Sequence, residues 1–68
     1  MNRALLEYEM KIKGISTEQV CKSIGVSRSA FYRKCNGKSD FTLTEIKEIL
    51  NLLSLTDPTN IFFADEVS

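Results

Sequence analysis

The chain has 68 residues, 43% of them hydrophobic and 26% charged, with nine cations, nine carboxylates and no histidine, so its formal net charge is zero. That length allows one domain with a small core and leaves little room for a large catalytic cleft. No apolar run approaches the roughly 20 residues of a membrane span, and the acidic residues in MNRALLEYEM interrupt what a signal peptide would continue as apolar, so the expectation is a soluble, cytoplasmic protein.

Asn2 can cap a first helix over residues 3–13, with Leu5, Leu6 and Met10 toward the core, Tyr8 and Ile12 at the edge of that stripe, and Gly14 placed to end it. Ser16 and Gln19 have capping-box spacing, which starts a second helix at Thr17. Val20, Cys21 and Ile24 fall on one stripe of it, and Gly25 can supply the left-handed backbone that ends it. Ser27 can then cap a third helix over Arg28–Cys35. Ala30, Phe31 and Cys35 share its inner face by three-and-four spacing, leaving Arg28, Ser29, Tyr32 and Arg33 outside. Cys21 and Cys35 both fall inward and read as plain buried cysteines; with no histidine beside them no metal site is expected.

After a loop through Asp40, Thr42 and Glu45 form a second capping-box match, and Leu43, Ile46, Ile49, Leu50 and Leu53 mark the buried face of a fourth helix. Asp57-Pro58 reads as a cap followed by proline at a first helical position, so a brief fifth helix can run through Ile61 and Phe62. A short strand over residues 61–64 is the competing assignment. The folded domain is expected over residues 1–63, followed by an acidic, mobile terminal tail over 64–68.

The neutral net charge conceals an asymmetry. Residues 11–38 hold Lys11, Lys13, Lys22, Arg28, Arg33, Lys34 and Lys38 against Glu18 alone, a surplus of six, whereas residues 39–68 carry a net charge of minus five. A basic stripe therefore coincides with the exposed third helix, as phosphate neutralisation on nucleic acid requires. Solvated helix faces are the plain alternative for the same charges.

Two short helices around a glycine turn, the second with arginines outside, form the layout of a helix-turn-helix DNA reader. The elements Cys21, Gly25-Val26-Ser27, Arg28–Cys35 and Asn36-Gly37 resemble the lambda-repressor and Cro-like (XRE-type) regulators of phages and bacteria over about residues 2–56. The resemblance implies an all-α, five-helix domain whose helices 2 and 3 form the helix-turn-helix. In that family a helix-one Arg often pairs with a Glu near the end of the recognition helix; Met10 and Cys35 stand at the corresponding positions here. Two apolar groups in place of an internal ion pair remove its desolvation cost, so the departure is compatible with the fold.

The reading helix enters the major groove by its N-terminal end, which makes Arg28, Ser29, Tyr32 and Arg33 the candidate base readers. Arg28 and Arg33 can each donate two hydrogen bonds to guanine; Tyr32 offers a ring and a hydroxyl, and its plain alternative is packing beside Phe31 or helix one. Ser16 and Thr17, at the start of helix two, are candidate phosphate contacts because helix starts attract anions. The resemblance adds Asn36, Gly37, Lys38 and Ser39; Lys22 and Lys34 are lesser candidates. Asn36-Gly37 has a structural alternative as a helix cap and turn, and can serve both uses.

One recognition helix covers few base pairs, so a homodimer on a palindromic double-stranded operator is expected. Exposed residues of helix four and Ile61, Phe62 and Phe63 are its candidate interface, with closure of the monomer core as the alternative use. No phosphate-binding glycine loop, nucleophile elbow or carboxylate pair in a cleft is present, so the chain reads as a non-enzyme with no cofactor and no small-molecule substrate. The expected function is that of a small phage or prophage transcriptional regulator. The alternatives are a protein-binding module on the same scaffold, antirepressor or antitoxin-like, and a recombination accessory factor.

Overall fold

Four of the five helices begin where a short polar side chain can satisfy an exposed backbone N–H. In the computed structural model, which describes residues 1–63, the order is α1 (Arg3–Ile12), α2 (Thr17–Ile24), α3 (Arg28–Cys35), α4 (Leu43–Leu52) and α5 (Thr59–Phe62). Asn2, Ser16, Ser27 and Thr42 each accept a hydrogen bond from the N–H three residues on, and Ser16–Gln19 and Thr42–Glu45 are complete capping boxes. The fold is all-α. The single turn of α5 replaces the competing strand through Phe62, and Asp57 Oδ1 accepts from the Thr59 N–H at 2.9 Å, which holds that exposed carboxyl below its ordinary value. The expected acidic tail, residues 64–68, lies outside the described residues.

The core gathers one apolar stripe from each helix. Leu6 and Met10 of α1, Val20 and Cys21 of α2, Phe31 and Cys35 of α3, Ile46, Ile49 and Leu50 of α4, Leu53 just beyond it, and Ile61 and Phe62 of α5 are all buried. Leu5 and Ile24 are half-buried against this cluster, while Tyr8 and Ile12 are exposed. Helix α4 packs on α2, α3 on α2, and α5 on α1. The Asn2 N–H also donates to the Ile61 carbonyl at 2.6 Å, so the two ends of the described chain are joined by a hydrogen bond as well as by packing.

Two expectations are corrected. Leu43, assigned to the buried face of α4, is 71% exposed. It is the first residue of that helix, one turn before the residues that reach the core. Ile61 and Phe62, candidates for a subunit interface with core closure as the alternative, take the alternative: they are 2% and 9% exposed within the chain's own core. Their apolar area is already removed from water, and only Phe63, 36% exposed, remains at the surface.

Backbone sterics separate two helix ends. Gly25 closes α2 at φ +73°, and a Cβ built there would meet nothing within 4 Å, so its requirement for glycine is conformational and not spatial. Ser54 adopts the same left-handed region, φ 57°, after α4, where its position follows the cap residue Leu53 and the Leu55 N–H closes back on the Leu50 carbonyl at 2.8 Å. A side chain in that region costs roughly 1–2 kcal/mol, part of which glycine returns through its more flexible unfolded chain. We expect Gly25→Ala to lower unfolding stability by about 1 kcal/mol and Ser54→Gly to raise it by about 0.5–1 kcal/mol, measured by urea denaturation. Changes in the opposite directions would show that these turns are not set by backbone strain.

Candidate nucleic-acid interface

Burial of Phe31 and Cys35 on the inner side of α3 turns its other residues outward. Arg28, Ser29, Tyr32 and Arg33 are exposed, Tyr32 at 40%. Arg28, with its side chain 64% exposed, has Nη2 4.0 Å from the Glu18 carboxylate. So loose and solvated a pair contributes little and leaves the guanidinium available. Tyr32 is held on two sides: its ring meets Phe31 edge-on at 5.8 Å, and the Arg3 guanidinium lies 5.6 Å from its centroid. Its plain alternative, packing beside Phe31 and helix one, is therefore realised while part of the ring stays at the surface.

At the start of α2, Ser16 Oγ accepts from the Gln19 N–H at 3.1 Å and the Ser16 N–H donates to Gln19 Oε1 at 2.7 Å. The capping box thus occupies those groups, and the N–H groups of Thr17 and Glu18, without intrahelical acceptors at a helix start, face out of the same end. Thr17 itself is half-buried. It shares a cavity of about 120 Å³ with Arg3, Met10, Tyr32 and Cys35, which places the start of α2, α1 and α3 side by side.

At the far end of α3 the backbone is engaged in closing the helix. The Asn36 N–H bonds the Tyr32 carbonyl at 2.9 Å, Gly37 bonds Lys34 at 3.2 Å and Lys38 bonds Arg33 at 3.0 Å, with Gly37 at φ +80°. The structural use of Asn36-Gly37 is thus present. Lys38 and Ser39 remain exposed, so a phosphate at this end would meet their side chains, not these N–H groups.

Lys34 lies away from the outer face. Its ammonium is 3.0 Å from Glu45 Oε1, donates to the Asp40 carbonyl at 3.0 Å and sits 5.8 Å from the centre of the Phe41 ring, with the side chain 13% exposed. Lys13 is similarly engaged, paired with Glu9 at 3.3 Å and donating to the Leu53 carbonyl at the end of α4. Two cations of the basic stripe therefore hold the fold together. Burial raises the Glu45 carboxyl, but the Thr42 backbone N–H and the Lys34 ammonium outweigh it and hold the group below its ordinary 4.5.

The residues expected to replace a familiar ion pair, Met10 and Cys35, are 6% and 7% exposed. Burial pushes the Cys35 thiol up to about 11, only partly offset by the charge of Arg3, so it stays protonated at neutral pH. Cys21 and Cys35 are both free and buried. The polar link between α1 and α3 is instead Arg3, whose Nε donates to Glu7 Oε2 at 2.8 Å and whose Nη1 donates to Asn36 Oδ1 at 2.5 Å. Sequence reasoning did not find it. The Arg3–Glu7 spacing of four was a local signal, but Asn36 lies 33 residues away.

The family model of the Cro/C1-type HTH DNA-binding domain matches residues 6–62, from within α1 to the end of α5. The chain belongs to this family. Comparison with curated proteins gives no match, and neither does comparison with solved structures. As a Cro/C1-type domain it is a DNA-binding module. Among the described residues no helix is long and apolar enough to cross a membrane.

Lys34 offers a test that separates structural from DNA-facing charge. Lys34→Ala should lower stability by about 0.5–1.5 kcal/mol, since it removes a hydrogen-bonded cation from a half-buried carboxylate that water can still reach. Because Glu45 titrates lower in the folded chain than in the unfolded one, its contribution is present above pH 4.5 and is lost as the pH falls through the lower folded value. The stability gap between wild type and variant, followed by thermal melts across pH, should narrow in that acid range. A uniform gap from pH 7 to pH 2 would mean that the ion pair contributes nothing.

Proposed function

We propose that the chain is a small transcriptional regulator of the phage or prophage type that binds a specific double-stranded operator with α3 in the major groove. The observation that carries this reading is the outer face of α3, where Arg28, Ser29 and Arg33 are exposed and Tyr32 partly so, on a helix fixed from behind by Phe31 and Cys35. Long polar side chains on such a face can reach base edges, and the two arginines suit the paired acceptors of guanine. Ser16 and Thr17 at the start of α2, and Asn36, Lys38 and Ser39 beyond α3, flank that face on both sides, where backbone phosphates would fix its register, while Gly37, its N–H bonded to the Lys34 carbonyl, serves the turn.

Two chains bind together in this reading, because a single eight-residue helix spans too few base pairs for a long unique site. Phe63 and Leu43, both exposed apolar side chains, are the interface candidates that remain after Ile61 and Phe62 are assigned to the core.

Selection from random duplexes tests specificity directly. Arg28→Ala or Arg33→Ala should relax preference at particular base pairs and cost roughly 1–3 kcal/mol each. An unchanged selected site and unchanged affinity in both variants would remove the recognition-helix assignment, and failure of the wild type to enrich any duplex would favour a protein partner for the same face.

Lys38→Ala should instead weaken all sequences alike and lower the slope of log affinity against log salt by about one per subunit. A base-specific change at constant slope would contradict a phosphate role. Sedimentation of the wild-type chain with its selected duplex should give two chains on a palindromic site. Phe63→Asp should shift that complex toward one chain while leaving cooperative unfolding intact; one wild-type chain on a non-palindromic site would refute the dimer.

A further inference from the structure

Arg3 of α1 reaches the outer rim of α3 and makes several contacts there at once. Its guanidinium lies over the Tyr32 ring at 5.6 Å, donates to Asn36 Oδ1 at 2.5 Å and is itself anchored by Glu7 at 2.8 Å. We infer that Arg3 is a positioning residue for DNA recognition, fixing the ring plane of Tyr32 and the amide direction of Asn36 from a neighbouring helix. The inference rests on the DNA reading proposed above and names a residue outside the basic stripe.

Tyr32 has little behind it to fix its rotamer. It projects from a helix of eight residues of which only two are buried, so its outer side chains have little of the core to set their rotamers. The Phe31 ring bounds one side of Tyr32, edge-on at an interplanar angle of 62°. The Arg3 guanidinium over the ring supplies a second boundary, and its planar fork keeps further donors for directed hydrogen bonds.

Asn36 supplies the chemical consequence. An amide presents an acceptor oxygen and a donor NH2, and an arginine offers donors only. With Oδ1 turned to Arg3, the NH2 group is left to point elsewhere. A donor suits a phosphate oxygen; the reversed amide would present an acceptor, which a phosphate repels. Arg3 therefore sets the polarity of Asn36 as well as its place.

Charge alone does not explain the arrangement. Glu7 neutralises Arg3 at short range in a pair whose side chains are 42% and 62% exposed, so the net field that this pair adds toward the duplex is small. Arg3 is thus suited to orienting neighbours, and a positioning role predicts that charge without planar geometry will not replace it.

The test compares Arg3→Lys with Arg3→Gln in the full chain. In the free protein, NMR should show the Tyr32 ring and Asn36 side-chain NH2 resonances moving in both variants. On DNA, Arg3→Lys should keep the wild-type salt slope, yet lose about two- to five-fold in discrimination at the base pair nearest Tyr32, the range of one exposed cation–π contact. Cooperative melting of both variants would exclude unfolding as the cause.

Full discrimination in Arg3→Lys would overturn the inference. So would a lowered salt slope in Arg3→Gln as the only defect, which would make Arg3 a simple phosphate cation. If the wild type itself enriched no duplex, the DNA reading would fall; Tyr32 and Asn36 resonances that stay unmoved in both variants would separately refute the positioning role.

Discussion

Phe31 is the contact on which the arrangement of the outer face depends. A helix of eight residues is too short to persist alone in water, so α3 exists because its inner side is held. The ring is 3% exposed and sits between two others, Tyr32 at 5.8 Å and Phe41 at 6.0 Å; Phe41 in turn meets Phe62 at 5.4 Å, all edge-to-face. Burying such a ring contributes about 1.5–3 kcal/mol, and each edge contact roughly 0.5–1.5 more. The row runs from the surface of α3 to the last described helix. It explains why Phe62 is part of the core: without α5 the Phe41 ring would lose one of its two ring partners, on the side away from Phe31.

Polar groups complete what this row cannot, because aromatic burial places a helix but does not set its rotation. Lys34 on one flank of α3 joins Glu45, which simultaneously closes the capping box of α4. Arg3 on the other flank joins Asn36. The helix is therefore gripped from both sides while its outer face stays clear. This also changes the meaning of the charge pattern: two of the seven cations in the basic stripe, Lys13 and Lys34, have structural partners, whereas Lys11, Lys22, Arg28, Arg33 and Lys38 lie exposed. The positive surface is therefore smaller than the count of basic residues implies.

Local signals in the sequence proved readable because their physics is local. A cap and its N–H lie three residues apart, so Ser16–Gln19 and Thr42–Glu45 could be assigned without knowing what else is nearby. Gly25 is legible for the same reason. The apolar stripes were legible through periodicity, with one failure at Leu43, where periodicity continues to the helix start but the neighbouring surface does not. What escaped reading depends on how helices cross. Spacing places Arg33 on the outer face and Lys34 nearer the side of Ala30 and Phe31, but only the position of α4 supplies the Glu45 partner that nearly encloses Lys34. Ile61 and Phe62 illustrate the same limit: an apolar pair near a terminus suits a core or an interface equally until its partners are placed.

The link between α1 and α3 shows how such a scaffold can move a polar contact without changing its topology. An ion pair at the positions of Met10 and Cys35 would lie among core residues, where both charges must be stripped of water before they attract. Here those positions carry a thioether and a protonated thiol, and the cation appears on the rim as Arg3, still partly hydrated and bonded to Glu7 and Asn36. The core contact then acts through apolar packing alone, with no buried charge to satisfy. The rim contact carries direction, since a guanidinium fixes the planes of the groups it touches. Stability and orientation, which one internal ion pair would have to serve together, are thereby assigned to different residues, and a change at Arg3 can alter how the outer face is presented without opening the core.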